Sequence, residues 1–129
     1  MQSEEKKAID EYEGSCLCRK TSYIAKGTPI NPHLCSCNMC QKSSGALTVP
    51  WVGFKLKNFN WTKDEPKLYR SSETTDRISC KNCGGLLGTL NYEKNGKLKS
   101  EIWITIGTLN NPYLIILENQ HQHKKKRPK

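Results

Sequence analysis

The sequence has few apolar residues and no long apolar run. Only 35% of its 129 residues are hydrophobic, seven of those are cysteines, and the mean hydropathy is -0.73. The longest apolar stretch, residues 113–117, is far shorter than the roughly 20 residues of a transmembrane helix. We therefore expect no membrane partner. The first residues also lack the apolar segment of a signal peptide, so we expect a cytoplasmic or nuclear protein.

Sustained helical periodicity is also missing, and short β-prone runs take its place. The runs cover residues 20–25, 46–54, 68–71, 77–80, 86–92, 101–108 and 113–117. In the second of them, Pro50 indicates an edge strand or a bulge. We predict a mainly β domain over residues 14–118, preceded by a loosely docked polar segment, 1–13, and followed by a basic tail, 119–129. So few apolar residues give a thin core, which needs stabilisation from something other than burial.

The formal net charge of +9 belongs mostly to the tail. Its five basic residues are Lys124, Lys125, Lys126, Arg127 and Lys129. Such a tail is a solvated end, a nuclear-localisation signal or a contact for nucleic acid or an acidic surface. His121 and His123 have the spacing of a metal pair, but beside this lysine run we expect them to be solvated.

The seven cysteines are the most informative residues. Seven is an odd number, and without a secretory signal a disulfide framework is not expected. They form three groups: Cys16 and Cys18; Cys35, Cys37 and Cys40; and Cys80 and Cys83. Cysteines at these short spacings can supply adjacent corners of a zinc tetrahedron.

The cysteine groups predict two zinc sites. Two pairs complete a closed four-thiolate site of the structural kind, and the triple forms a three-thiolate site with one open position. A redox-active pair, free thiols and a single zinc are the alternatives. Spacing alone also leaves open whether the triple shares ligands with Cys16 or Cys18.

Several motifs together resemble the glutathione-dependent formaldehyde-activating enzyme family, to which centromere protein V also belongs. The matching stretches are GSCLC at 14–18, CSCNMCQKSSGA at 35–46, YRSS at 69–72, RISCKNCGG at 77–85 and GTLNNP at 107–112. The resemblance implies a zinc-stapled β fold of the type named after the mammalian suppressor of a yeast secretion mutant. It also implies that Cys16, Cys18, Cys80 and Cys83 bind a structural zinc, and that Cys35, Cys37 and Cys40 bind the second.

The sequence departs from the family pattern at several points. Ser36 replaces a histidine that the family usually has between two cysteines of the triple, and Arg19 replaces a glycine after the first pair. The segment after Pro112 ends in the basic tail, whereas the family usually continues to a tryptophan. These departures predict changes on the substrate side, with both metals kept.

The open zinc site is expected to bind an incoming thiolate, for which glutathione is suitable. A nearby cation would stabilise the oxyanion that develops on formaldehyde. Lys42 is the nearest candidate for a catalytic role, while Arg77 and Lys81 flank the other cysteine pair. For all three the alternative is a surface charge or a charge-assisted donor to the zinc thiolates. We expect the three tryptophans to lie in the core or at its edge.

Three functions compete. The first is a zinc-dependent carbon–sulfur lyase-type enzyme that forms S-hydroxymethylglutathione. The second is a non-catalytic zinc-binding module whose basic tail contacts nucleic acid or an acidic protein surface. The third is a metal-storage or redox thiol protein, for which the cysteine spacings are less suitable because they favour tetrahedral sites.

Overall fold

Two antiparallel β-sheets, of three and six strands, form the fold in a computed structural model that describes residues 11–115. The strands are β1 Glu11–Ser15, β2 Ser22–Lys26, β3 Ile30–Cys35, β4 Val49–Lys55, β5 Phe59–Trp61, β6 Lys67–Ser72, β7 Thr75–Ser79, β8 Leu86–Tyr92 and β9 Leu98–Thr105. A short helix, α1, spans Asn38–Ser44. The smaller sheet has the order β1-β2-β5 and the larger β3-β4-β9-β8-β7-β6. The prediction of a mainly β fold is confirmed.

The main core lies between the two sheets. On β9, the alternation of side chains buries Ile102 and Ile104 completely and leaves Trp103 half-buried on the opposite face. The smaller sheet contributes Tyr12, whose ring centroid lies 5.4 Å from that of Phe54 on β4. The core is therefore built from few large side chains, as the low apolar content predicts.

Pro50 lies on a strand with a neighbour on each side. β4 pairs with β3 through Pro50, opposite Leu34, but its pairing with β9 begins only at Trp51. Because proline has no backbone N–H to donate, it is tolerated here, at the one end of β4 that β9 does not reach. The prediction was an edge strand or a bulge at Pro50. β4 is not an edge strand, and the irregularity in its pairing with β3 lies between Ile30 and His33 and not opposite Pro50.

Other features also differ from the sequence predictions, among them strands β3 and β5, which lie outside every predicted β-prone run. Residues 38–44 form α1 although no helix was predicted there, and Pro112–Leu114 form a 3₁₀ turn where a last strand was expected to begin. β1 begins at Glu11, inside the segment expected to be loosely docked, because Tyr12 is buried against the core. Residues 1–10 and the basic tail lie outside the described residues. Within residues 11–115, no helix is long and apolar enough to cross a membrane.

A buried carboxylate links strands β6, β7 and β8. Asp76 accepts a hydrogen bond of 2.6 Å from Arg70 Nε and one of 2.9 Å from the Tyr92 hydroxyl. The Arg70 guanidinium also lies 4.6 Å from the centre of the Tyr92 ring. The hydrogen bond from Arg70, together with that from Tyr92, holds the pKa of Asp76 below its ordinary value.

We expect Asp76→Asn to lower the free energy of unfolding at pH 7 by about 1–3 kcal/mol, because it removes the negative charge that accepts hydrogen bonds from Arg70 and Tyr92. A lowered folded-state pKa stabilises the fold fully above the unfolded-state pKa, about 3.9, and this contribution disappears as the pH falls through the folded-state value. Urea unfolding of both proteins between pH 7 and pH 3 should therefore show the difference between them shrinking at the acid end. Glu65→Gln, at an exposed position, is the matched control, and an Asp76→Asn protein as stable as wild type at pH 7 would contradict the prediction.

Candidate metal centres and the adjoining cavity

Two cysteine pairs, distant in sequence, meet in one cluster. Cys16 and Cys18 follow β1, whereas Cys80 and Cys83 lie in the turn between β7 and β8. The four sulfurs all lie within 4.8 Å of one another. Turns from two different sheets therefore meet here, and Cys16 and Cys18 lie with Cys80 and Cys83 and not with the triple.

The geometry of the four-cysteine cluster suits one tetrahedral metal ion. Cys18 Sγ lies 3.7 Å from both Cys16 Sγ and Cys80 Sγ. A zinc–sulfur distance of 2.3 Å implies an edge of about 3.8 Å between thiolates of a tetrahedron. Four soft donors at this spacing fit zinc.

Backbone N–H groups point at the sulfurs of this cluster. Cys80 Sγ accepts from the backbone N–H of Asn82 at 3.2 Å and of Cys83 at 3.3 Å. Hydrogen bonds lower the pKa of Cys80 to about 5, and the bond with the Thr21 side chain contributes most. Burial, in contrast, raises the pKa of Cys16. The N–H groups stabilise thiolate charge, as expected around a metal-binding cysteine.

Two positions next to these cysteines take left-handed backbone conformations. Gly84 has φ +79°, and Arg19 has φ +69°. Arg19 occupies the place where a glycine was expected from the family pattern, and its N–H closes the turn by donating to the Cys16 carbonyl at 3.1 Å. A non-glycine residue in this region costs roughly 1–2 kcal/mol. The turn is thus formed despite the substitution.

The other three cysteines form a second cluster around the start of α1. Cys35 ends β3, Cys37 is the N-cap of α1, and Cys40 lies in its first turn. Their sulfurs lie within 4.8 Å of one another. Cys35 Sγ is 2.9 Å from Cys40 Sγ and 3.3 Å from Cys37 Sγ, closer than the tetrahedral edge, so a metal ion bound here would spread them slightly. Three thiols offer three ligands and leave a fourth position open.

Aromatic side chains cover the inner side of the three-cysteine cluster. Buried Cys40 packs with Val49 and Trp51, and half-buried Trp103 packs against the same group. The hydrogen bond that joins Cys35 and Cys40 is the main reason why the pKa of Cys40 falls to about 5, and the Trp51 side chain and the positive charge of Arg77 contribute to it. The same hydrogen bond raises the pKa of Cys35.

A cavity of about 420 Å³ lies between α1 and the turn that carries Cys80 and Cys83. It is lined by Met39, Lys42 and Ser43 of α1, by Tyr69 and Ser71 of β6, by Arg77 and Ser79 of β7, and by Gly84 and Leu86. None of the seven cysteines lines it, but Met39 and Gly84 are the sequence neighbours of Cys40 and Cys83. Lys42 is exposed on α1, two residues beyond Cys40.

The structure places the remaining candidate residues as follows. Trp51 is buried, and Trp61 and Trp103 are half-buried beside the core clusters. Lys81 is exposed and does not line the cavity. His121 and His123 lie outside the described residues. Among residues 11–115, no histidine joins either cysteine cluster.

Sequence reasoning missed the link between Arg77 and the three-cysteine cluster. Arg77 was seen as a flank of the Cys80 pair, but its Nη1 donates to Ser43 Oγ of α1 at 3.3 Å. Arg77 reaches this cluster through α1, and the sequence contained one signal for that helix: Cys37 and Cys40 are three positions apart, which matches one helical turn. A seven-residue helix is too short to show an apolar period.

Comparisons with known proteins show the family and the fold of the chain. The family model described as glutathione-dependent formaldehyde-activating enzyme matches residues 11–125. A Schizosaccharomyces pombe protein named as an uncharacterized lyase is 32% identical over 81 residues, which cover 61% of this chain and 57% of that protein. A crystal structure of a Rhodobacter sphaeroides protein has the same fold, with a TM-score of 0.57 and 16% identity over 76% of this chain and 87% of that one.

Proposed function

Because the chain belongs to the glutathione-dependent formaldehyde-activating enzyme family, we propose that it is a zinc-dependent carbon–sulfur lyase-type enzyme that forms S-hydroxymethylglutathione. The observation that carries this proposal is the cluster of Cys35, Cys37 and Cys40, which offers three thiolates around the start of α1, the helix that also lines the cavity. Such a donor set leaves room for one further ligand. A thiol substrate meets that requirement better than water does, because three thiolates make zinc a weak activator of water.

Two zinc ions per chain are part of the proposal. The closed site of Cys16, Cys18, Cys80 and Cys83 is structural, and its sulfur spacing supports that role. Zinc bound to the three-cysteine cluster supplies an open coordination position for the thiolate of glutathione. Trp51 and Trp103 cover the inner side of this cluster, so the substrate approaches from the cavity.

The reaction is the addition of a thiol to an aldehyde. The sulfur loses its proton and forms a bond to the carbonyl carbon, the π electrons move to oxygen, and that oxygen takes up a proton. We assign Lys42 to the developing oxyanion, because its side chain lines the cavity and a single ammonium suits a single charged oxygen. Preorganised donors of this kind stabilise the transition state.

The proposal is tested by NMR exchange spectroscopy on formaldehyde and glutathione with the zinc-loaded protein. We expect acceleration of adduct formation over the uncatalysed reaction, and a fall of about 100-fold or more in Lys42→Met if its ammonium is the oxyanion partner. Lys99→Met removes an exposed cation that does not line the cavity, and it should retain the wild-type rate. No acceleration by wild-type protein with both metal sites filled would refute the enzyme proposal.

The alternative is a non-catalytic zinc-binding module. It is favoured by the serine at position 36, where the family usually has histidine, and by the basic tail, residues 124–129. Nucleic acid or an acidic protein surface would be its partner. Protein that does not accelerate the reaction, but whose salt-sensitive binding to duplex DNA is lost on deletion of residues 124–129, would support this alternative.

A further inference from the structure

Arg77 carries a buried hydrogen-bond donor that lacks a partner. Its Nη1 contacts Ser43 Oγ at 3.3 Å, but its Nε is fully buried, and within residues 11–115 no group accepts from it. A buried donor of a charged group is costly to leave unpaired. β7 holds the arginine in this position, between Tyr69 on β6 and Thr89 on β8.

The cavity beside Arg77 is positively charged. Arg77 and Lys42 are the two charged residues that line it, and within the described part of the chain no acidic side chain does. The hydroxyls of Ser43, Tyr69, Ser71 and Ser79 line the same space. Two cations with hydrogen-bond donors around them favour an anionic ligand.

The form of the guanidinium narrows the class of anion. Arginine presents a planar fork of N–H groups, which matches the two oxygens of a carboxylate, whereas lysine is a point charge. We propose that this cavity is a carboxylate subsite, in which Arg77 binds a carboxylate of the thiol substrate.

This inference rests on the proposed function, because it gives the substrate of the three-cysteine cluster its orientation. Arg77 donates to Ser43 Oγ at 3.3 Å, and that hydroxyl donates in turn to the Cys40 carbonyl at 3.2 Å. A carboxylate bound at Arg77 therefore lies beside the cluster that receives the sulfur. The subsite selects peptide-like thiols that carry a carboxylate over neutral thiols of similar size, and Lys42 remains available for the oxyanion.

The subsite is tested with S-methylglutathione, which keeps both carboxylates but has no thiol to ionise. Titration calorimetry on the zinc-loaded full chain should give binding that weakens about tenfold or more when both carboxylates are blocked as the diethyl ester. Arg77→Met should weaken binding of the acid by a similar factor and leave that of the ester unchanged. Arg77→Lys, which keeps the charge without the fork, should lie between wild type and Arg77→Met.

Lys99→Met is the matched control and should bind S-methylglutathione as wild type does. Zinc content and thermal melting establish that each variant is folded; if Arg77→Met is not, the comparison of acid with ester on wild-type protein decides alone. Equal affinity for acid and ester, a folded Arg77→Met with unchanged affinity, or inorganic phosphate bound as tightly as S-methylglutathione would each overturn the subsite. Arg77-dependent binding in a protein that does not accelerate the formaldehyde reaction would uphold the subsite and refute the proposed function.

Discussion

Cys80→Ser and Cys16→Ser should give unfolded or insoluble protein. Both residues are buried, and their sulfurs belong to the cluster that joins the turn after β1 to the turn between β7 and β8. Cys18 and Cys80, 3.7 Å apart at sulfur, are 62 residues apart in sequence. A structural zinc that forms only in the folded state contributes about 10–16 kcal/mol to folding. This is comparable with the whole stability of a domain, about 5–15 kcal/mol.

The sharpest test compares two exposed cysteines, one from each cluster. Cys83 and Cys37 are both exposed, so Cys83→Ser and Cys37→Ser change little apolar burial, and the difference between them reports the metal site. We expect Cys83→Ser to lose the cooperative melt, while Cys37→Ser keeps it. Circular dichroism and elemental zinc analysis on the purified proteins measure this. A Cys83→Ser protein that melts like wild type with one zinc would mean that the two sites are assigned the wrong way round.

The β fold and the grouping of the cysteines were predictable because both are local in sequence. Short apolar runs between turn residues predicted β2, β7 and β8 closely. The run 101–108 covered only the second part of β9, which begins at Leu98, and extended into the 3₁₀ turn Ile106–Thr108. The short cysteine spacings predicted two clusters, which the fold brings together as expected. The spacings did not show which cysteine groups come together in one cluster, because that depends on how the two sheets pack.

The parts that could not be predicted depend on contacts between distant segments. β1, Glu11–Ser15, was missed entirely because its polar residues conceal one buried tyrosine, Tyr12. The buried carboxylate of Asp76 depends on strand pairing that no short motif encodes. Arg77 was noted only as a neighbour of Cys80, because its contact with Ser43 crosses 34 residues of sequence. The cavity follows from that contact, so it was not predictable either.

The three-cysteine cluster has the opposite expected behaviour: Cys37→Ser and Cys40→Ser should give folded, soluble protein with about one zinc per chain and no thiol–aldehyde activity. The three residues lie within six positions of one another, so a metal there orders local backbone and closes no long loop. Serine at position 37 can still cap α1, which Cys37 caps by accepting from the Cys40 N–H. Cys40 is buried, so its serine variant should melt somewhat lower than Cys37→Ser. Thermal melting, zinc analysis and the NMR exchange assay on the two proteins measure this. If Cys37→Ser unfolds the domain, or retains the wild-type rate with one zinc, the open site does not have the role that we assign to it.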